Sequence, residues 1–570
     1  MYIHAVPNRN SPPAILLREG YREKGKTRNR TLANLSKWPK EKVEMLRLLL
    51  RGEKLAPVAD QFEAISSWHH GHVDAVLRTM NRLGFDQLIA TTRSRERDLV
   101  MGMVAARILA PESKLATTRW WHTTTLPAEL GIADADENDL YDAMDWVLKR
   151  QPRIEKKLAA RHLTEGGLVL FDLTSSYFEG VTCPLAALGK NRDGKKGKLQ
   201  VNWGLLTDDC GRPVAVSVFK GNTGDPKTLM PQVRKVKESF GIETMVMVGD
   251  RGMITQKQID EIKETDGVDW ITALRTEGIK NLVEGGALQM ELFDERNLFE
   301  LTHPDYPGER LIACMNPELR KLRGHKRRSL LEATRRELEK VRGMVQRGRL
   351  KGKGKGEIGV RVGKVINKYK MAKHLVLDIR DGFFDFHVDE KKVAAETALD
   401  GIYVIRTSLG EKRSSAEDTV RHYKRLVLIE RAYRSLKTID LHTRPIRHRT
   451  EDRVRAHIFL CMLAGYVEWY MREAWRELLF CDEDQEAKKT RDPVAPAKRS
   501  EAALRKVHTR TLDDGSEVHS FQTLLARLSQ IVRNLCRVRS MGPGAPSFEV
   551  VTTPDAKQRR AYELLERIAV

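Results

Sequence analysis

Cysteine is scarce in this chain: six residues in 570, none in Cys-x-x-Cys spacing. That argues against a zinc cluster or a disulfide framework and suits a reducing cytoplasm. No segment approaches the ~18 consecutive apolar residues of a membrane span, so no membrane partner is expected. The opening MYIHAVPNRNSPP lacks a basic stretch followed by an apolar one, so no signal peptide is expected either. Internal repeats are absent. Acidic residues fall short of basic ones, 78 against 100, which leaves a net charge of +22. A surplus of that size attracts polyanions, of which nucleic-acid phosphate is the commonest. Hydrophobic residues at 41% suffice for folded cores, and 570 residues suggest three or four domains.

The first 40 residues alternate apolar and polar positions and read as a small β-hairpin unit ending at Leu35. From residue 41 to about 165 the spacing is helical, as in Val73, Val76, Leu77, Met80 and Leu83, and a DNA-binding or dimerisation region is expected there. At Leu168-Val169-Leu170-Phe171 a continuous apolar run marks a strand buried on both faces. Strands over 199–206, 214–219 and 245–248, a helix over 227–239, and a strand over 270–274 follow. This is a mixed α/β sheet occupying 166–275. Residues 276–398 interrupt it with weaker strands and a basic helix over 322–349. That helix carries Lys326, Arg327, Arg328, Arg335 and Arg336, which are expected to face DNA. The run Lys351-Gly352-Lys353-Gly354-Lys355-Gly356 reads as a loop. Sheet character returns at Ile402, and long helices are expected over 415–437 and 452–478, giving a second part of the core at 399–480. A polar linker over 482–500 and an α/β tail, with helices near 521–534 and 556–568, complete the segment 481–570.

Three carboxylates carry the chemistry. Asp172 follows the buried run directly, at or near a strand end. Asp250 follows Met245-Val246-Met247-Val248 in Gly249-Asp250-Arg251-Gly252. Taken singly, each reads as a turn or capping aspartate. Glu430 shares a seven-residue spacing with Tyr423 and Lys437, which places all three in one helical stripe. Beside it runs an apolar stripe of Leu426, Ile429, Tyr433 and Leu436. Two Asp residues near strand ends and a helical Glu are what a two-metal phosphodiester site needs. Hard oxygen ligands suit Mg²⁺ or Mn²⁺, two ions per active site, with Asp172 shared between them. Lys437 and Tyr423 are then expected to bind DNA phosphate.

These residues resemble the insertion-sequence transposases of the DDE superfamily, in the branch with the third motif Tyr-x2-Arg-x3-Glu-x6-Lys. Tyr423, Glu430 and Lys437 match that motif, Leu426 stands at the Arg position, and Arg425 beside it is the candidate substitute. FDLTSSYFEG, VGDRGM, LDGIYVIRTS and RPIRHRTEDRVRAHIFLCMLA extend the likeness over about 168–470. The resemblance implies an RNase H-like core with an insertion between the second Asp and the Glu. The first Asp would lie on the first strand, the second just after the fourth, and the Glu on a late helix. It also implies a nucleoid-associated enzyme of the prokaryotic cytoplasm. Such an enzyme binds double-stranded DNA, both terminal inverted repeats and target, as a homodimer in a synaptic complex. Two alternatives stay open: a metal-dependent nuclease on the same fold, and a catalytically silent DNA-binding derivative.

Overall fold

A computed structural model describes residues 1–9, 11–53, 62–289, 291, 293, 296–350, 354–481, 491–495, 498–538 and 546–569. The chain divides into two compact units, residues 1–69 with 531–553, and 70–530 with 554–570.

In the first unit, Tyr2–Val6, Ala14–Glu23 and Lys26–Asn34 form an antiparallel sheet. Lys24 and Gly25 both take positive φ, 45° and 77°, as a two-residue hairpin turn matched to strand twist requires. The expected hairpin therefore gains a third strand. The helix Lys40–Leu50 follows. A second sheet joins Phe62–His69 to Val532–Val538, and that strand to Ser547–Val551. Segments from the N-terminal and C-terminal parts of the chain thus pair here. Phe62–His69 interrupts the helical region expected from residue 41, and the tail helix ends at Leu528, with a strand where residues 532–534 read as helix. In each case the pairing partner is remote in sequence, so local spacing carried no sign of it.

The second unit is built on an eight-stranded mixed sheet. Its order is Leu298–Leu301, Arg310–Met315, Ile402–Thr407, Val268–Ala273, Met245–Val248, Leu168–Tyr177, Gln200–Thr207 and Pro213–Lys220. Counted along the chain from Leu168, the first five strands lie in the order 3-2-1-4-5. The first three are antiparallel, and the fourth and fifth run parallel to the first. That is the RNase H-like arrangement implied by the resemblance. The strands are continuous apolar runs because helices cover the sheet: Glu451–Ala474, buried along most of its length, packs on Pro213–Lys220 and on the helices Arg95–Leu109 and Glu137–His162. Glu137–His162 begins with a reciprocal capping box between Asp136 and Asp139.

Residues 276–398 contribute in two ways. Leu298–Leu301 and Arg310–Met315 extend the main sheet through Ile402–Thr407, over a core that includes Leu282, Leu311 and Val404. Beyond them, the helices Pro317–Gln346 and Gly354–Tyr369 pack with the hairpin Leu375–Arg380/Phe383–Val388 around Leu338, Ile358, Leu375 and Phe384. Of the lysine–glycine run read as a loop, residues 354–356 open a helix, and residues 351–353 lie outside the described residues. Most of the expected linker at 482–500 also lies outside them. No helix among the described residues is long and apolar enough to cross a membrane.

Candidate active site

Asp172 sits in mid-strand, because Leu168–Tyr177 continues five residues beyond it. Its register partner on one side is Leu205. On the other side the neighbouring strand stops at Val248, which pairs with Leu170. The end of that neighbour, not of its own strand, opens space beside Asp172. Sequence reasoning placed the residue at or near a strand end. The polar stretch Thr174-Ser175-Ser176 continues the strand because Gln200–Thr207 pairs with it residue by residue.

Asp250 lies two residues past Val248, in the space so opened. Its Oδ1 accepts the backbone N–H groups of Gly252 (3.0 Å) and Met253 (2.9 Å), which fixes a tight turn. One carboxylate oxygen is thus held while the residue stays exposed. The charge of Asp250 reaches Asp172: burial pushes the Asp172 carboxyl up to about 7, Asp250 adds to the rise, and Arg192 opposes it.

Glu430 is exposed on the helix Leu426–Arg434. Tyr423 lies in the last turn of the preceding helix, Ala416–Lys424. Burial pushes its phenol up to about 12, and the carboxylates of Asp250 and Glu430 both push the same way. Asp172 thus feels the charge of Asp250, and Tyr423 feels the charges of both Asp250 and Glu430. Among the described residues, no Lys, Arg or His lies within 4.0 Å of any of the three carboxylates.

The expected single stripe of Tyr423, Glu430 and Lys437 does not form. The helix expected over 415–437 breaks at Arg425, and residues Ser435–Ile439 form a π-helical turn. The wider turn shifts the register that a uniform 3.6-residue period assumes. Lys437 is buried: its Nζ lies 2.5 Å from Asp193 Oδ1 and donates to Thr174 Oγ1 at 3.0 Å. Burial pulls its ammonium below the usual range, and Asp193 resists that shift. Arg444 also pairs with Asp193. Arg425 is committed as well, to Asp209 in the turn between Gln200–Thr207 and Pro213–Lys220.

On the basic helix, Lys326, Arg328, Arg335 and Arg336 are exposed, and Arg336 is paired with Glu332 at 3.2 Å. Arg327 is turned inward, pairing with buried Asp400 and bonding to Thr397. It docks the helix instead of facing outward, because a 30-residue helix rotates successive side chains by ~100°.

Sequence reasoning passed over Arg192 and Tyr433. Arg192 pairs with Asp225 at 2.5 Å beside Asp172. The signal for it was the basic loop from Lys190 to Lys198, directly after the first strand. Tyr433 was read as part of an apolar stripe, and its hydroxyl left no trace in the spacing.

The donor set, three carboxylates with no cationic side chain within 4.0 Å of any of them among the described residues, suits a hard divalent cation. Asp172, Asp250 and Glu430 are not clustered for a single ion. Among the described residues, the one trio whose ligand atoms all lie within 4.8 Å of one another is Asp208, Asp209 and Cys210. A two-ion site allows a wider spread, about 8 Å between oxygens on opposite ions. Asp208 is committed to Arg212 at 2.6 Å, and Asp209 to Arg425.

Two family models match the chain. The transposase DDE domain covers residues 165–465, and the N-terminal domain of the IS1634 family transposases covers residues 3–58. No curated protein matches. Among solved structures, a piggyBac transposase synaptic complex with hairpin DNA is similar at 8% identity and a TM-score of 0.33, over 80% of this chain and 77% of that one. The DDE-domain match runs from just before the Asp172 strand to the helix beyond Glu430 and spans more than half of the 570 residues: the chain belongs to the DDE transposases, enzymes of DNA transposition.

Proposed function

We infer that this transposase binds the terminal inverted repeats of its own insertion sequence and cuts and rejoins DNA at Asp172, Asp250 and Glu430. What supports the reading is that the charge of Asp250 acts on Asp172, that the charges of Asp250 and Glu430 both act on Tyr423, and that none of the three carboxylates has a cationic partner within 4.0 Å among the described residues. They would hold two divalent ions, Mg²⁺ or Mn²⁺. When bound, such ions supply activation of the attacking oxygen and neutralisation of charge on the leaving one.

The chain's own groups perform the remaining work. The turn at Gly252 and Met253 fixes one oxygen of Asp250 and so orients the other. Tyr423, kept protonated by its surroundings, offers a hydroxyl donor to a DNA phosphate beside the acids. Lys326, Arg328, Arg335 and Arg336 offer point charges and forked donors to the backbone farther along the duplex. Lys437 and Arg425 support the site from within, through Asp193 and Asp209. The third motif of the Tyr-Arg-Glu-Lys branch therefore divides into a phosphate ligand, Tyr423, a metal ligand, Glu430, and a buried tie, Lys437. Strand transfer requires two DNA ends, so the working form is a homodimer in a synaptic complex.

The test is Mg²⁺-dependent cleavage and joining of DNA carrying the element's ends, with wild type compared against Asp172→Ala, Asp250→Ala and Glu430→Ala. Joined products from wild type alone, with DNA binding kept in all four proteins, support the reading. Cutting without joining points to a nuclease, and binding without metal-dependent chemistry to a silent derivative.

A further inference from the structure

Tyr433 lies three residues after Glu430, so the two side chains leave neighbouring positions of the same helix. The Tyr433 ring turns into the sheet, where it is buried. Its hydroxyl donates to the backbone carbonyl of Asp172 and accepts the backbone N–H of Leu205 at 3.0 Å. Asp172 and Leu205 are direct register partners. An antiparallel hydrogen-bonded pair turns such groups toward each other. The phenol therefore stands at the rung that carries Asp172 and engages both strands there. Trp203 meets its ring edge-on at 5.0 Å and is itself fixed by an indole N–H donated to Ser176 Oγ at 3.0 Å. Burial first, then the charge of Asp172, raises the phenol well above its ordinary range, so the donor proton is permanent.

The other end of the helix is held separately. Arg425 pairs with Asp209, and Gly211, at φ +81°, lets the turn approach so closely that a Cβ there would lie 2.7 Å from Leu428 Cβ. With that end fixed, Tyr433 ties the Glu430 helix to the Asp172 backbone by a hydrogen bond.

We propose that the Tyr433 hydroxyl is a positioning group that sets the separation of the Glu430 and Asp172 carboxylates, by clamping the helix of one to the strand rung of the other. The inference rests on the metal-site reading above. It differs from ordinary packing in what it controls: loss of the hydroxyl alters how the site binds and uses divalent ions, and leaves the fold in place.

Tyr433→Phe tests it. The ring and its contact with Trp203 remain, and the Leu205 N–H and Asp172 carbonyl can close on each other as a normal rung. The fold therefore persists, as a melting curve will show. Cleavage is then measured against Mg²⁺ concentration, with Mn²⁺ affinity measured on the same proteins. We expect unchanged duplex binding, a raised half-saturating Mg²⁺ concentration, weaker Mn²⁺ binding, and a rate lowered roughly ten- to a hundredfold, as for other groups that orient metal ligands. Trp203→Phe keeps the hydroxyl and disturbs the packing, so it should lower the melting temperature without moving the metal dependence. Identical metal dependence in Tyr433→Phe and wild type overturns the proposal and leaves the active-site reading standing. So does the same shift in Trp203→Phe, because packing would then be the cause. A wild type without metal-dependent cleavage or Mn²⁺ binding overturns the active-site reading, and this inference with it.

Discussion

The ammonium of Lys437 lies 2.5 Å from the Asp193 carboxylate, in a pair whose side chains are 9% and 1% exposed. Arg444 shares the same carboxylate, whose other oxygen accepts the backbone N–H of Tyr177 at 2.9 Å. The loop after the Asp172 strand is therefore fastened to the segment that follows the Glu430 helix.

Asp193 answers two cations, so the partners of this cluster are not equivalent. Asp193→Asn leaves both Lys437 and Arg444 without a carboxylate and should destabilise the protein by about 3–5 kcal/mol, the usual result of breaking a buried ion pair. Lys437→Met leaves Asp193 paired with Arg444 and should cost less. Chemical denaturation of both variants checks the magnitude. A direct phosphate ligand would behave otherwise: stability would hold, and the salt dependence of duplex binding would weaken.

The basic helix offers a contrast within one element. Arg335→Ala with Arg336→Ala should leave folding intact and weaken binding to duplexes of any sequence. It should also reduce the slope of log K against log salt by about 2. Arg327→Met should do the opposite, lowering stability through the loss of its pair with Asp400 while the salt slope of the folded fraction stays unchanged. Fluorescence anisotropy at several salt concentrations, beside melting curves, separates the two.

Acid should loosen the helical layer over the sheet. His457 is buried on the helix Glu451–Ala474, with Nε2 3.1 Å from the Thr443 carbonyl. Burial, reinforced by Arg107 and Lys114, pulls its pKa down to about 3. The unfolded chain takes up that proton near pH 6.5, while the folded protein resists it until about pH 3. Stability must therefore fall as pH drops between those values, by at most ~1.4 kcal/mol per pH unit from this residue. His457→Gln keeps a donor for the carbonyl and does not titrate. Its melting temperature should depend less on pH between 7 and 4 than that of wild type, and an equal dependence would contradict the assignment.

The order and type of the active-site elements were legible in the sequence because each rests on a local pattern. An apolar run leads into Asp172, a second into Gly249-Asp250, and a helical period carries Glu430. The basic surplus and the interruption after residue 275 were equally visible, since composition needs no partner to be read. Tertiary structure decided what depends on distant partners. Asp172 lacks a pairing strand on one side because a different strand ends beside it at Val248. Lys437 turns inward because a π-helical turn, held in place by packing, shifts the helical register after Arg434. Arg327 and Arg328 are adjacent and alike in charge, yet Asp400 buries one and solvent keeps the other. Periodicity reports the geometry of one segment, whereas these outcomes were fixed by burial and pairing energies that arise only once remote segments meet.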